Sequence, residues 1–168
     1  MANYQKYTSV YSLTDYILGV QIPAVGDLQA ETFTIGGPGD SGNGTCTGQI
    51  IVSRNQNLFE TDGDVTGSWV HNKSLNRTGT ITVDIRQVSN YVVKFILTCA
   101  AFEKIQTRTG GMTITLTPAF NNESNSPIIT AIDCFFQKVP DQNYGPSAQM
   151  QSWIITCGRI DFTPTYTE

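Results

Sequence analysis

The sequence predicts a mainly β, single-domain antiparallel β-sandwich or barrel with one flanking amphipathic α-helix at about residues 90–105. Three observations carry this. Several segments alternate apolar and polar residues, the period-two mark of a half-buried strand. One segment, from Val88 to Phe102, changes to three-to-four spacing. Charged residues make up 14% of the chain, against about 25% in a typical domain. Thr, Ser, Asn and Gln supply the polarity instead, which suits a pleated surface.

The elements follow in order. Residues 7–25, rich in Tyr, Val, Ile and Leu, read as one long or bent strand, with Gly19 and Pro23 as markers of a bulge and an edge. Residues 36–48 (GGPGDSGNGTCTG) form a loop, because their glycines and Pro38 hold neither helix nor strand. A strand at 49–54 and a shorter stretch at 57–61 come next. Thr61-Asp62-Gly63-Asp64 signals a hairpin turn, since Asp-Gly tolerates positive φ. Residues 67–76 (GSWVHNKSLN) read as a polar loop.

In the strand at 79–87, Ile81, Val83 and Ile85 point one way, and Thr80, Thr82, Asp84 and Arg86 point the other. Val88, Tyr91, Val92, Phe95, Ile96, Cys99 and Phe102 then share one helical face. Ser89 is placed to cap the helix, and Lys104 and Arg108 suit the negative end of its dipole. Gly110-Gly111 lie beyond it. Strands at 111–117, 127–139 and 149–163 close the chain, separated by polar segments at 118–126 and 140–147. The last strand carries Ile154 and Ile160 on one face and Trp153 and Ile155 on the other. A strand apolar on both faces is covered on both, which points to the core on one side and a second subunit on the other.

The length of 168 residues suits one domain. A net charge of -4 argues against tight DNA binding, which needs clustered Lys and Arg. No apolar run reaches the ~18 residues of a membrane span. The start, MANYQKYTSVYS, has neither the basic region nor the apolar run of a secretion signal, so a cytoplasmic origin is expected. There Cys46, Cys99, Cys134 and Cys157 stay reduced. They are too scattered for a zinc site and read as small buried hydrophobes, so no metal or other cofactor is expected.

Chemical motifs are thin. Gly37-x-Gly39-x-x-Gly42 matches a dinucleotide fingerprint, but no helix follows to meet a phosphate. Gly39-Asp40-Ser41-Gly42 looks like the segment around a serine-protease nucleophile. The one histidine, His71, comes after it and not before. No enzymatic role is expected.

The order GTITVDIRQVSNYV, helix, GMTITL, FFQKVPDQNYG and QSWIITCGRID resembles a family of phage structural proteins, the inner tube subunits of contractile tails. Lys73-Ser74 before the Gly79–Val83 strand, Lys138-x-Pro140 with Tyr144, and Trp153 with Gly158-x-x-Asp161 carry the resemblance. It implies a homohexameric ring stacked into a tube, with tail sheath and baseplate proteins as partners. DNA passes through without specific binding. The protein would be part of the virion, assembled in the host cytoplasm. In that setting Thr80, Thr82, Asp84 and Arg86 are the candidate lumen face. Trp153, Ile155 and Cys157 are the candidate subunit interface. Gly39, Asp40, Ser41, Gly42, Asp141 and Tyr144 are the candidate inter-ring loops. The alternatives are a terminator or baseplate adaptor ring, and a carbohydrate-binding β-sandwich using Trp69, Tyr144 or Trp153.

Overall fold

The structure, a computed structural model, describes residues 16–24, 29–37, 47–86, 90–104, 110–118, 127–147 and 149–162. In chain order they form β1 (Tyr16–Ile22), β2 (Glu31–Gly36), β3 (Thr47–Arg54), β4 (Phe59–Gly63), β5 (Trp69–Lys73) and β6 (Gly79–Arg86). These are followed by α1 (Asn90–Lys104), β7 (Met112–Pro118), β8 (Ile129–Phe136) and β9 (Met150–Phe162). Seven strands make one sheet in the order β2-β1-β7-β8-β9-β6-β3, and β4 and β5 pair apart from it as a ribbon. Every pairing is antiparallel.

The sheet curls around α1, and one side chain shows by how much. The Phe95 ring lies 5.0 Å from Phe33 of β2 and 5.1 Å from Trp153 of β9. Three strands separate β2 from β9. In a flat sheet that gap would span about 19 Å, at ~4.8 Å per strand. A single ring reaches both only if the sheet bends round it. The expected sandwich or barrel is therefore a half-barrel wrapped on one helix.

Alternation decides what goes inside. Leu18, Val20 and Ile22 of β1, Ile81, Val83 and Ile85 of β6, and Met112 and Ile114 of β7 all point to the helix and are buried. From α1 come Phe95, Cys99 and Phe102, with Ile96 half-buried beside them. Each large apolar side chain so buried contributes about 1.5–3 kcal/mol. An ion pair from Lys94 to Glu31, at 3.3 Å, links α1 to β2.

Several local expectations change. β2 is a strand that the sequence reading passed over. Gly19 marks no bulge: β1 runs in unbroken register with β2 and β7. Its reason is space, since a Cβ there would meet the Thr115 hydroxyl at 2.9 Å. Nor is β1 an edge, and Pro23 lies just past its end. Residues 69–73, read as loop, are strand β5. The hairpin turn sits at 64–68, where the Asp64 carboxylate accepts the backbone N–H of Thr66 and Ser68 and Gly67 takes φ +85°. Ser89 and Arg108 lie outside the described residues.

β8 and β9 share a kink. Asp133 has φ +56° and faces Gly158, where a Cβ would meet the Asp133 Cβ at 3.2 Å. The Asp133 carboxylate accepts the Gly111 N–H at 2.9 Å, and the β7–β8 register slips between Met112 and Ile114. Beyond the kink the inward parity of β9 changes: Trp153, Ile155 and Cys157 point in, and so does Ile160. Ile154 and Ile160 therefore do not share a face.

Candidate assembly surfaces

Register places the two polar strand stripes on one face, turned away from α1. Thr80, Thr82, Asp84 and Arg86 of β6 stand beside Thr156, Ile154, Ser152 and Met150 of β9. On the other arm of the sheet, Thr115 of β7 lies between Gly19 of β1 and Thr130 of β8. Thr80, Thr82 and Asp84 are half-buried by their neighbours, and Arg86 is exposed. Of the β6 and β9 side chains just named, Asp84 and Arg86 are the charged ones. Among its exposed apolar groups are Ile51 and Ile154, and a shallow cleft lined by Gln137, Lys138, Pro140 and Ser152 opens beside Ile154.

Trp153, Ile155 and Cys157 are corrected as an interface. Their exposures are 0%, 2% and 4%, so α1 and the curled sheet of the same chain already cover them. A side chain with no free surface in one subunit offers nothing to another. Trp153 packs on Phe95 and Phe136, each at 5.1 Å, so a sugar platform there is also ruled out.

Among the described residues, β2 and β3 are the outermost strands of the sheet. On β3, the bond from Asn55 N–H to the Thr78 carbonyl sets the pairing parity. It directs the N–H groups of Arg54, Val52 and Ile50 outward, away from β6. Neither edge strand contains Lys or Pro, the residues that commonly block further pairing.

The β4–β5 ribbon is exposed along its whole length. One side carries Phe59, Thr61, Trp69, His71 and Lys73; the other carries Glu60, Asp62, Val70 and Asn72. The His71 Nδ1 and the Thr61 hydroxyl are 2.8 Å apart, and the Lys73 ammonium sits 6.0 Å from the Phe59 ring centroid. Trp69 is 68% exposed and Val65 fully so. A two-stranded ribbon with this much bare apolar surface is marginal alone in water. The sequence reading finds the β4 side and a hairpin there but misses β5, because a strand with both faces in solvent shows no alternation.

Asp141 and Tyr144 are exposed on the segment after β8. Gln151, buried on the helix side of β9, anchors that segment by donating to Gln142 at 2.9 Å, and Gln142 donates to the Pro140 carbonyl. Gly39, Asp40, Ser41 and Gly42 lie outside the described residues, as does Cys46. His71 belongs to the ribbon. No described helix is long and apolar enough to cross a membrane.

Among solved structures, the chain is similar to the sheath/tube terminator of the extracellular contractile injection system PVC, in its extended state. The TM-score is 0.51 at 13% identity, over 94% of this chain and 99% of that one. The extended PVC sheath–tube complex gives 0.49 at 15% identity, over 95% and 93%. The tube-terminating cap of the anti-feeding prophage gives 0.46 at 14%, over 97% and 99%. At such identities the first likeness speaks for the fold alone. No curated protein matches the chain. The family model of the bacteriophage PhiTE tail tube protein matches residues 24–163, which takes in α1 and every strand from β2 to β9, so the chain belongs to the bacteriophage PhiTE tail tube protein family.

Proposed function

We propose that this chain is the repeating subunit of a phage tail tube, with a structural and not an enzymatic role. Homohexameric rings stack into a hollow channel for genome delivery, assembled in the host cytoplasm and held in the virion by sheath and baseplate partners. The observation that carries this reading is a single curled sheet whose outermost strands among the described residues, β2 and β3, carry neither Lys nor Pro. Pairing β3 of one copy with β2 of the next continues the sheet around a ring, a head-to-tail contact that closes by rotation. The Thr-rich face beside β6 then lines the channel. Thr80, Thr82 and Asp84 keep it wet, and a face with few cations lets DNA slide past. The ribbon, together with the Asp141–Tyr144 segment, reaches neighbouring copies.

A second reading, a ring that ends a tube, is favoured by the fold shared with the PVC terminator. Negative-stain microscopy of the purified protein separates the two. Long tubes support the first reading, single unstacked rings the second, and a strictly monomeric species at high concentration overturns both. Val52→Pro tests the edge itself: it deletes an outward N–H without touching the β3–β6 ladder. Folded V52P that still forms tubes would exclude β3 as the pairing edge.

A further inference from the structure

Two of the buried cysteines face each other across a strand pair. Cys134 of β8 is in register with Cys157 of β9, and both sit on the helix side, at 0% and 4% exposure. The backbone bond from Gln137 N–H to the Ile154 carbonyl fixes the parity of this pairing. Counting back along the shared register, Cys134 and Cys157 fall at a non-hydrogen-bonded position. There opposed Cα atoms approach to about 4.5 Å, inside the window of about 4.4–6.8 Å that a disulfide spans. We propose that Cys134 and Cys157 are a latent cross-strand disulfide, closed by hydrogen peroxide and reopened by thiols. This inference rests on the fold alone and is independent of the tube reading.

The chemistry balances with a small oxidant. The Cys157 thiolate attacks one peroxide oxygen, the O–O bond breaks, and with the proton returned one water leaves, giving a sulfenic acid. The Cys134 sulfur then attacks the Cys157 sulfur, the S–O bond breaks, and a second water leaves with the Cys134 proton. The two thiols lose two electrons and peroxide gains them. Cys157 is the first to react because it retains slight exposure and because the Cys134 thiol donates a hydrogen bond to it, which holds the Cys157 thiol below its ordinary range while raising Cys134. Cys99 is equally buried, and burial alone pushes its thiol up. With no such partner among the described residues, Cys99 stays reduced. The bond, once formed, ties β8 to β9 beside the shared kink and closes the loop that carries Asp141 and Tyr144.

The test uses the native full chain. Peroxide-treated protein is denatured in an alkylating reagent and digested without reduction, and its peptides are weighed. A joined Cys134–Cys157 peptide that disappears on thiol treatment, with Cys99 alkylated, is the expected result. Cys134 and Cys157 both alkylated, or Cys134 joined instead to Cys99 or Cys46, would overturn the proposal. Melting of the oxidised wild type gives a second readout: its midpoint rises and falls back with reductant, whereas an unchanged midpoint despite the cross-link removes the locking role.

Discussion

Ile51 and Ile154 stand on either side of Thr82, in one in-register row across β3, β6 and β9. All three project from the face opposite α1. In the proposed tube this row meets water in the channel, whereas the adjacent Ile155 points into the core at 2% exposure. Neighbouring isoleucines therefore have opposite fates. Ile154→Asp should melt like the wild type and still form tubes. Ile155→Asp buries an unpaired carboxylate and should lose more than ~4 kcal/mol, enough to prevent folding. Melting curves and micrographs of both variants check this. If folded I154D fails to assemble, the face is a contact and not the channel lining.

The two tryptophans make a second contrast. Trp153→Ala opens a hole beside Phe95 and Phe136 and should cost about 3–5 kcal/mol in a denaturant titration. Trp69→Ala, on the bare ribbon, should alter stability by no more than about 0.5 kcal/mol while reducing polymer length or yield. Normal tubes from W69A would remove the ribbon from the contacts between copies.

Gly110 and Gly111 separate a chain-reversal role from a packing role. A Cβ on Gly111 would press on the Cys134 carbonyl at 2.5 Å, while one on Gly110 meets nothing within 4 Å among the described residues. Gly111→Ala should destabilise by about 1–3 kcal/mol. Gly110→Ala should stay within about 0.5 kcal/mol of wild type. Equal melting points for the two would refute the close approach of β8 at this position.

The ribbon turn should respond to acid. The Asp64 carboxyl is held below its ordinary 3.8, first by the Thr66 hydroxyl and then by backbone N–H groups. A depressed carboxyl contributes order that is fully present above 3.8 and is lost as pH falls through its lower, folded value. Amide resonances of Thr66 and Ser68 should therefore hold steady down to that ordinary value and shift below it, with no change in Asp64→Ala.

Legibility in the sequence followed solvent exposure. Where one face is wet and the other dry, as at Ile81, Val83 and Ile85, alternation located the strand and its core side together. The helix was equally plain from Phe95, Cys99 and Phe102. Alternation failed where both faces are alike. The ribbon is wet on both sides, so residues 69–73 read as loop, and Asp62-Gly63 drew the turn too early. In β9 the failure had another cause. Trp153 and Ile155 alternate correctly, but the positive φ of Asp133, a residue on a different strand, goes with the change of parity before Ile160. A single backbone angle on a neighbour leaves no trace in the pattern of β9 itself. The interface followed from that gap: apolar residues on the inward side were attributed to a second subunit because the reach of α1 was not visible in the sequence.

The root of the ribbon has a mechanical consequence. It leaves from the end of β3 and returns at the start of β6, and bonds from Asn55 to Thr78 and from Ser74 to Leu58 clamp it there. A pull on Trp69 along the ribbon would draw β3 and β6 forward together. The resisting contacts run in register from Gly79↔Cys157 to Arg86↔Met150, and a force along the strands loads them side by side rather than one after another. The ribbon is thus a handle fixed to the paired β3 and β6, and strain applied to it by a neighbour would be borne as shear, without peeling the sheet open.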